Sequence, residues 1–389
     1  MEVLVTGIGL LTGLGDRETS WKRLLAGESA IALHCPFPEL GAFPLARIGQ
    51  KPADLKQLLQ IATQEALSDA QVRLPLADCG VAIGSSRGYQ ARLEQFARDF
   101  YQRLPQAPQV LPATSATPPQ PFSWLDSLPH MGAIAVARQV GTTGPVLAPM
   151  AACATGIWAI AQGADLIRQG CCDRVIVGSA EAPITPLALA GFKRMGALAK
   201  TGSYPFDRRR EGLVLGEGAA VLVLESAALA KQRDAPVYGR ILGVGLTADG
   251  YHVSAPAADA KSAIAAIQQC LQRSNLSAAD IDLIHTHGTG TQLNDGNEAQ
   301  LIQQLFPRQP FVASTKGATG HTLGASGCLG VVFCLLALRD RIVPPCAGLQ
   351  HPEFDLNFAC RAYSVRTRQA LCFSFGFGGQ NAVIALDAG

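Results

Sequence analysis

Short apolar runs alternate along the chain with longer segments in which apolar residues recur every three or four positions. The runs MEVLVTGIGLL (1–11), CGVAIGSS (79–86) and DRVIVGSAEAP (173–183) are almost continuously apolar and end in small residues, which predicts strands buried on both faces. Helices are predicted between such runs, for example over 54–70 and 155–169. This alternation predicts an α/β fold.

The second half of the chain repeats the pattern of the first. Residues 270–290 follow the same order of helix, turn and strand as residues 66–86. Two further segments, 211–225 and 369–387, each have an apolar run, a glycine turn and a second apolar run, which predicts a hairpin. We therefore predict two related halves, residues 1–235 and 236–389.

Composition limits the classes of function. The 389 residues are 48% hydrophobic and 16% charged, which is typical of a compact globular enzyme. A formal charge of +2 gives no overall basic field for nucleic acid. Eleven cysteines without a C-x-x-C pair indicate a reducing, cytoplasmic location. The N-terminus lacks a basic region and starts on a predicted strand, so we expect no signal peptide.

One segment approaches the length of a membrane span. Residues 322–338 carry no charge, whereas a span takes about 20 mainly apolar residues. The first half of the segment is Gly, Ala, Ser and Thr, and Arg339, Asp340 and Arg341 end it abruptly. These features predict a buried helix and no membrane span.

The least regular region, 103–130, is rich in proline and predicts a surface loop or a dimer contact. Its tripeptide Asp126–Leu128 resembles the serine site at which carrier proteins bear phosphopantetheine. A tripeptide without an acidic helical domain around it is explained by chance.

Cys153 stands where a turn of small residues runs into an apolar helix, in PMAACATGIWAIAQGADLI (149–167). Unpaired backbone N–H groups and the positive helix end should lower the thiol pKa there and make the sulfur nucleophilic. The same N–H groups could receive the oxyanion formed on attack at a thioester. An inert buried cysteine is the alternative, which we prefer for Cys171, Cys172, Cys328 and Cys334.

Two histidines follow strand-to-helix transitions in the second half. His287 comes directly after the strand DIDLI, and His321 opens a small-residue helix five positions after Lys316. Two histidines and a cysteine at such positions in duplicated halves indicate one catalytic site.

Two other ligand classes compete for these residues. A metal site would use His285, His287 and His321 with the nearby acids Asp295 and Glu298, but no closed Cys/His set is present. A dinucleotide site would use VTGIGLLTGLG (5–15), but its glycines miss the G-x-G-x-x-G spacing and Glu28 is a weak ribose partner. We therefore predict neither a metal nor a cofactor.

The motifs WKRLLAGESAI, AACATG, PFDRRREGLVLGEGAA, HTHGTGT, STKGATGHTLGASG and FSFGFGGQN occur in order over nearly the whole chain. In this the chain resembles a β-ketoacyl-acyl-carrier-protein synthase of the elongating, Cys-His-His kind, within the thiolase-like condensing enzymes. The resemblance implies a five-layered αβαβα fold built from two βαβαβαββ halves. It also implies an acyl carrier protein as substrate carrier and a homodimer, with a heterodimer of related subunits as the alternative.

The resemblance assigns a role to each matching residue. Cys153 would take the acyl group, with its own backbone N–H and that of Phe377 as the oxyanion hole. His287 and His321 would hydrogen-bond the malonyl thioester during decarboxylation, and the product would be a 3-ketoacyl carrier protein. Lys316 and Glu298 would hold the histidine loops or form a structural salt bridge, and Phe377 would gate the acyl cavity. Pantetheine would be bound by Ser254, Thr289 and Thr291.

An acidic carrier protein should dock on a basic rim, for which the candidates are Lys193, Arg194, Lys200, Arg208, Arg209 and Arg210. The segments ACAT, TQLND and GGQN depart from the usual family pattern, so fatty-acid, polyketide, polyene and glycolipid pathways all stay open. A non-elongating partner subunit, chain-length-factor-like, is the alternative function, although such a subunit typically lacks the nucleophile. A thiolase would need a second cysteine in 376–381, and an initiating synthase an asparagine at His321.

Overall fold

The computed structural model describes residues 1–103 and 124–389. Its strands are β1 Val3–Thr12, β2 Gly15–Asp16, β3 Ile31–His34, β4 Phe43–Ala46, β5 Gly80–Gly84, β6 Val146–Leu147, β7 Arg174–Glu181, β8 Gly218–Ser226, β9 Gly239–Ala248, β10 Leu283–His285, β11 Phe311–Ala313, β12 Ile342–Val343, β13 Tyr363–Ser364, β14 Gln369–Gly376 and β15 Gln380–Asp387. Its helices are α1 Arg17–Leu25, α2 Leu55–Asp69, α3 Gln90–Arg103, α4 Met131–Val140, α5 Thr155–Arg168, α6 Pro186–Arg194, α7 Ala227–Gln232, α8 Lys261–Ser274, α9 Gln292–Leu305, α10 Lys316–Thr319 and α11 Ser326–Asp340.

The main sheet contains the same strand order twice. From one edge to the other it runs β11-β10-β14-β15-β9-β1-β8-β7-β5-β6, so β9, β15, β14, β10 and β11 of the second half mirror β1, β8, β7, β5 and β6 of the first. The two sets join where β1 pairs with β9, and of β1 only Val3, Leu4 and Val5 take part in that pairing. This order agrees with the predicted duplication, while the exact division at residue 235 stays a prediction.

Helices cover both faces of each set of strands. α5 and α11 pack against each other between the two sets, with α5 on β7 and α11 on β14. α2 and α4 cover the outer face of the first set, and α8 and α9 cover that of the second. The layers are therefore helix, sheet, helix, sheet, helix, which confirms the expected αβαβα fold.

The apolar runs are continuous because each strand feeds two cores. In β8, Val221 and Val223 face the outer core with α2 and α4, whereas Leu222 and Leu224 face the inner core with α5 and α11. A strand that is buried on both faces has no polar alternation, which explains the sequence pattern.

The glycines of the first strand serve packing. A Cβ at Gly7 would lie 2.5 Å from the Ala66 carbonyl oxygen of α2, and one at Gly9 would overlap the Ala62 carbonyl. In the second half, Gly245 of β9 meets Ala266 of α8 in the same way. These glycines therefore allow a helix to approach the strand backbone. Their role in packing argues against the alternative of a dinucleotide site over residues 5–15.

The segment 322–338 is a core helix, as predicted. Leu323–Asp340 is long and apolar enough to cross a membrane, but 89% of it is buried inside the protein. It lies in the central layer, where close contacts with α5 use its small residues: a Cβ at Gly327 would lie 3.0 Å from the backbone nitrogen of Ile157.

The hairpin prediction is half wrong. Residues 369–387 form the hairpin β14–β15, in which Gly376 pairs with Gln380. In 211–225 only β8 is a strand, and Leu213, Leu215 and Gly216 make isolated bridges to Leu198, His321 and Ala46. This segment is irregular because it borders the loop that carries His321.

Part of the predicted loop 103–130, residues 104–123, lies outside the described residues. At its end Trp124–Ser127 forms a 3₁₀ turn, in which Ser127 is 2% exposed and donates its hydroxyl hydrogen bond to the Trp124 carbonyl (2.5 Å). A buried serine cannot serve as a carrier site, which agrees with a chance match.

Candidate active site

A cavity of about 600 Å³ opens between the two halves of the chain. Cys153 reaches it from the N-terminal half, and His287, His321 and Phe377 reach it from the C-terminal half. The three pantetheine candidates, Ser254, Thr289 and Thr291, also line it. Cys153 and Phe377, which are 224 positions apart in sequence, are thus brought to one site.

The nucleophile candidate and the two histidines are close neighbours. The Cys153 sulfur and one nitrogen from each ring of His287 and His321 lie within 4.8 Å of one another. The two imidazole rings are edge to face, with centroids 5.2 Å apart. A thioester bound beside the sulfur would therefore be within reach of both rings.

Cys153 stands in a tight turn two residues before α5. Ala152 has φ +47°, a left-handed conformation that is costly for alanine. Thr155 fixes the turn by accepting the Ala151 N–H (2.8 Å) and donating to the Ala152 carbonyl (2.7 Å), while Ser374 donates to the Cys153 carbonyl (2.8 Å). These contacts hold the sulfur toward the cavity.

The predicted lowering of the Cys153 pKa is wrong. Burial raises the pKa of this thiol to about 11, although the Lys316 charge and a hydrogen bond from the Phe377 backbone N–H act in the opposite direction. The sulfur packs in an apolar cluster with Phe192 and Leu323, and α5 begins only at Thr155. The loss of hydration on burial therefore raises the thiol pKa more than the positive end of the helix can lower it.

This raised pKa predicts a pH dependence. Because thiolate is the reactive form, alkylation of Cys153 by iodoacetamide should accelerate about tenfold per unit from pH 7 to pH 9, without a plateau. Peptide mass spectrometry checks this, with the exposed Cys35 as an internal reference. A plateau below pH 8 would show that the free enzyme already stabilises the thiolate.

His321 is held as one tautomer. Its Nδ1 accepts the backbone N–H of Leu323 (3.2 Å) and lies 2.9 Å from the Ser326 hydroxyl. Since a backbone N–H can only donate, Nδ1 carries no proton and Nε2 carries the N–H. Burial keeps the pKa of the ring well below its usual value, and the nearby Lys316 charge lowers it further. The ring is therefore a neutral hydrogen-bond donor.

His287 is held through its backbone. Its N–H donates to Glu298 (2.6 Å), its carbonyl accepts from the Lys316 ammonium, and the Gly288 N–H donates to the other Glu298 oxygen (2.6 Å). The ring is 2% exposed, and its Nδ1 has no hydrogen-bond partner among the described residues. Burial, then the Lys316 charge and the electrostatic interaction with His321, keep its pKa well below the usual value.

Lys316 and Glu298 thus hold the same residue from two sides. Among the described residues no ion pair of 4.0 Å or less joins them directly, so the alternative of a structural salt bridge between them is not supported. Burial raises the pKa of Glu298, and the neighbouring Asp295 raises it further. Burial lowers the pKa of Lys316, which the Glu298 charge opposes.

Phe377 lies in the β14–β15 turn, before Gly378 and Gly379, whose φ values are +77° and +70°. Its ring centroid is 6.3 Å from that of Phe192, and the residue is 36% exposed, so it forms a partly exposed wall of the cavity. Thr289 and Thr291 hydrogen-bond each other through their hydroxyls (2.9 Å), and both line the cavity.

The basic residues divide into two groups. Lys193, Arg194, Lys200 and Arg208 are exposed, as a docking rim requires. Arg210 is 4% exposed and forms an ion pair with Glu353, so its inclusion in the rim is wrong. Arg209 is exposed, but it pairs with Asp207 (3.0 Å) and stacks on Tyr204.

Most of the residues proposed as ligands of the alternative metal site are engaged in other hydrogen bonds. His285 bonds Thr315 (3.1 Å), and the carboxylates of Asp295 and Glu298 accept backbone N–H groups. Cys153, His287 and His321 could still hold an ion, although tetrahedral zinc needs ligand atoms about 3.5 Å apart. Stoichiometric zinc in the purified protein would support that use.

Sequence reasoning missed Glu181. This carboxylate is fully buried and accepts from Ser85 (2.5 Å), Ser86, the Arg87 N–H (3.1 Å) and the Gly324 N–H (2.9 Å). Through these hydrogen bonds Glu181 connects the loop that follows β5 with the segment that follows His321. A charged residue that ends the apolar run DRVIVGSAE is the signal that could have revealed it.

Comparison with known proteins identifies the family. The family model for the β-ketoacyl synthase N-terminal domain matches residues 47–230, and that for the C-terminal domain matches residues 238–350. A 3-oxoacyl-[acyl-carrier-protein] synthase 2 of Staphylococcus aureus (strain MRSA252) is 34% identical, over 99% of this chain and 97% of that protein. This chain belongs to the β-ketoacyl synthase family. It is therefore an acyl-transferring condensing enzyme of fatty-acid or polyketide synthesis.

Solved ketosynthases share the fold over the whole chain. One is a type II polyketide ketosynthase bound to a hexaketide and in complex with its acyl-carrier protein, with a TM-score of 0.90, 26% identity and coverage of 100% of this chain and 99% of that one. Another is the ishigamide ketosynthase/chain length factor, with a TM-score of 0.89, 27% identity and coverage of 100% and 99%. The first of these ketosynthases is thus seen with its acyl-carrier protein, and the second with a chain length factor.

Proposed function

We propose that Cys153 is the nucleophile of this ketosynthase and that His287 and His321 activate its second substrate. The approach of one sulfur and two imidazoles to within 4.8 Å is the observation that carries the proposal. The non-elongating partner subunit is less well supported, because the chain keeps both the thiol and a cavity around it.

In the first half-reaction the Cys153 sulfur attacks the thioester carbonyl of an acyl chain carried on phosphopantetheine. The C–S bond to Cys153 forms, the bond to pantetheine breaks, and the thiol proton leaves with the pantetheine sulfur. The Phe377 N–H lowers the pKa of the Cys153 thiol, so with the Cys153 N–H it can stabilise the oxyanion beside that sulfur. Phe377 admits the chain when its turn moves.

In the second half-reaction a malonyl thioester binds with its carbonyl oxygen facing the two histidines. The bond to the carboxylate carbon breaks, carbon dioxide leaves, and the electron pair forms an enolate. Two neutral N–H donors stabilise this developing charge more than they stabilise the ground state. The enolate carbon then attacks the acyl-Cys153 carbonyl, which forms the new C–C bond and releases the sulfur.

Lys316 and Glu298 position His287 through its backbone and do not transfer protons in this scheme. Ser254, Thr289 and Thr291 bind the pantetheine arm, because short hydroxyls can hydrogen-bond its amides. An acyl carrier protein docks at the exposed rim of Lys193, Arg194, Lys200 and Arg208. The enzyme works as a homodimer in the cytoplasm, and a heterodimer with a related subunit is the alternative.

The test is reconstitution with carrier proteins. Purified enzyme, acyl-carrier protein and malonyl-carrier protein should yield a 3-ketoacyl-carrier protein, two carbons longer than the acyl group, with release of carbon dioxide. Mass spectrometry of the carrier protein detects it. If only an added related subunit restores condensation and acyl loading maps to that subunit, the non-elongating role is correct instead.

A further inference from the structure

One charged side chain of the cavity has no counter-charge. The charged side chains that line the cavity, besides its histidines, are Arg87, Glu211 and Asp249. Glu211 accepts the N–H groups of Lys200 (2.8 Å) and Thr201 (2.7 Å), and Asp249 accepts from Asn381 (2.7 Å) and Ala257 (3.1 Å). No carboxylate of the described residues lies within ion-pair distance of Arg87, and its side chain is exposed.

The position of Arg87 is fixed by its backbone. The Arg87 N–H donates to Glu181 (3.1 Å), the buried carboxylate that also accepts the Gly324 N–H beyond His321. The same carboxylate therefore anchors both the Arg87 loop and the loop of a catalytic candidate. No hydrogen bond or ion pair of the Arg87 side chain contributes to this anchor.

The guanidinium lies along a wall that leads to the nucleophile. Its carbon is 5.4 Å from the centroid of the Phe192 ring, and that centroid is 6.3 Å from the centroid of the Phe377 ring, which lines the same cavity as Cys153. Arg87 and Phe192 belong to the N-terminal half, whereas Ser254, Thr289 and Thr291 belong to the C-terminal half. Arg87 thus lines the same cavity as the pantetheine candidates but comes from the other half of the chain.

An acyl chain that fills this cavity covers Arg87. A saturated chain would displace water from the guanidinium and leave its N–H donors without acceptors, which is unfavourable. A chain with a keto or carboxylate oxygen supplies those acceptors, and the planar guanidinium binds such groups through two donors. Phe192, Leu213 and Leu323, which line the cavity and belong to the apolar cluster of Cys153, offer only apolar contact.

We propose that Arg87 makes this ketosynthase select acyl groups that carry oxygen acceptors along the chain over saturated hydrocarbon chains. The inference rests on the proposed function, because it assumes that the acyl group sits on Cys153. It assigns a specificity role to a residue that takes no part in the bond changes.

The test compares eight-carbon acyl groups that differ only at the distal end: octanoyl, 7-oxooctanoyl and 7-carboxyheptanoyl, each as a carrier-protein thioester. Intact-protein mass spectrometry measures kcat/KM for acyl-enzyme formation. Wild type should load at least one oxygenated chain about tenfold faster than octanoyl, or more. Arg87→Met should remove or reverse that ratio, and Arg87→Lys should retain part of it.

Arg98→Met is the matched control, since Arg98 is an exposed arginine of α3 outside the cavity lining, and it should keep the wild-type ratio. Equal loading of all three chains by wild type, or an equal change of all three rates in Arg87→Met, overturns the inference. Loss of folding is checked by thermal unfolding of each variant. If wild type loads no chain on Cys153, the proposed function itself fails, and the inference falls with it.

Discussion

Cys153→Ala should abolish acyl-enzyme formation and lower condensation by on the order of 10³-fold or more, while the protein still folds. The sulfur is the attacking atom, and no other cysteine of the described residues lines the cavity. The substitution removes only one buried atom, so the melting temperature should change little. Intact-protein mass spectrometry after incubation with an acyl-carrier protein measures the adduct.

Cys270→Ala is the control for this experiment. Cys270 is also a buried free cysteine, but it lies on α8 in the outer core, with its thiol against the Gly243 carbonyl of β9, and it does not line the cavity. This variant should form the acyl-enzyme at close to the wild-type rate. An adduct retained by Cys153→Ala would show that another residue is the nucleophile.

His321→Asn should impair elongation far more than acyl loading. Leu323 fixes the proton of His321 on Nε2, where it can donate to the malonyl thioester, and asparagine cannot place a donor at that position. Loss of one such donor typically costs about 10²–10³-fold in rate. Single-turnover kinetics should therefore show this loss in carbon dioxide release and a much smaller change in acylation of Cys153.

Ser326→Ala provides the comparison for His321→Asn. It removes the hydroxyl beside Nδ1 but leaves the Leu323 N–H, so the tautomer is retained and the loss should stay below about tenfold. Equal losses of loading and decarboxylation in His321→Asn would refute the division of roles between the sulfur and the histidine.

The sequence predicts the elements whose two faces are both buried. β1, β5 and β7 appear as continuous apolar runs because each feeds two cores, and α2 and α5 lie within one residue of their predicted ends at 54–70 and 155–169. The first half of segment 211–225 has the same apolar character, but its partners are separate loops and not a neighbouring strand. Local pattern cannot distinguish these two cases.

The sequence predicted which residues form the site, but it did not predict their pKa values or their burial. Motif order located Cys153, His287 and His321, but the raised pKa of Cys153 depends on Phe192 and Leu323, which are distant in sequence. Likewise, the sequence places Arg210 in a basic run that is typically exposed, whereas in the structure Arg210 is buried and forms an ion pair with Glu353. Burial of a charged group is a tertiary property, and so these assignments required the structure.

A crystal structure of the wild-type enzyme after incubation with an acyl-carrier protein tests most directly whether one sulfur and two imidazoles share the reaction site. It should show the acyl carbon bonded to the Cys153 sulfur, the thioester oxygen within hydrogen-bond distance of the Cys153 and Phe377 N–H groups, and open space beside His287 and His321. An acyl group on another residue, or a thioester oxygen directed away from both N–H groups, would contradict the proposed site.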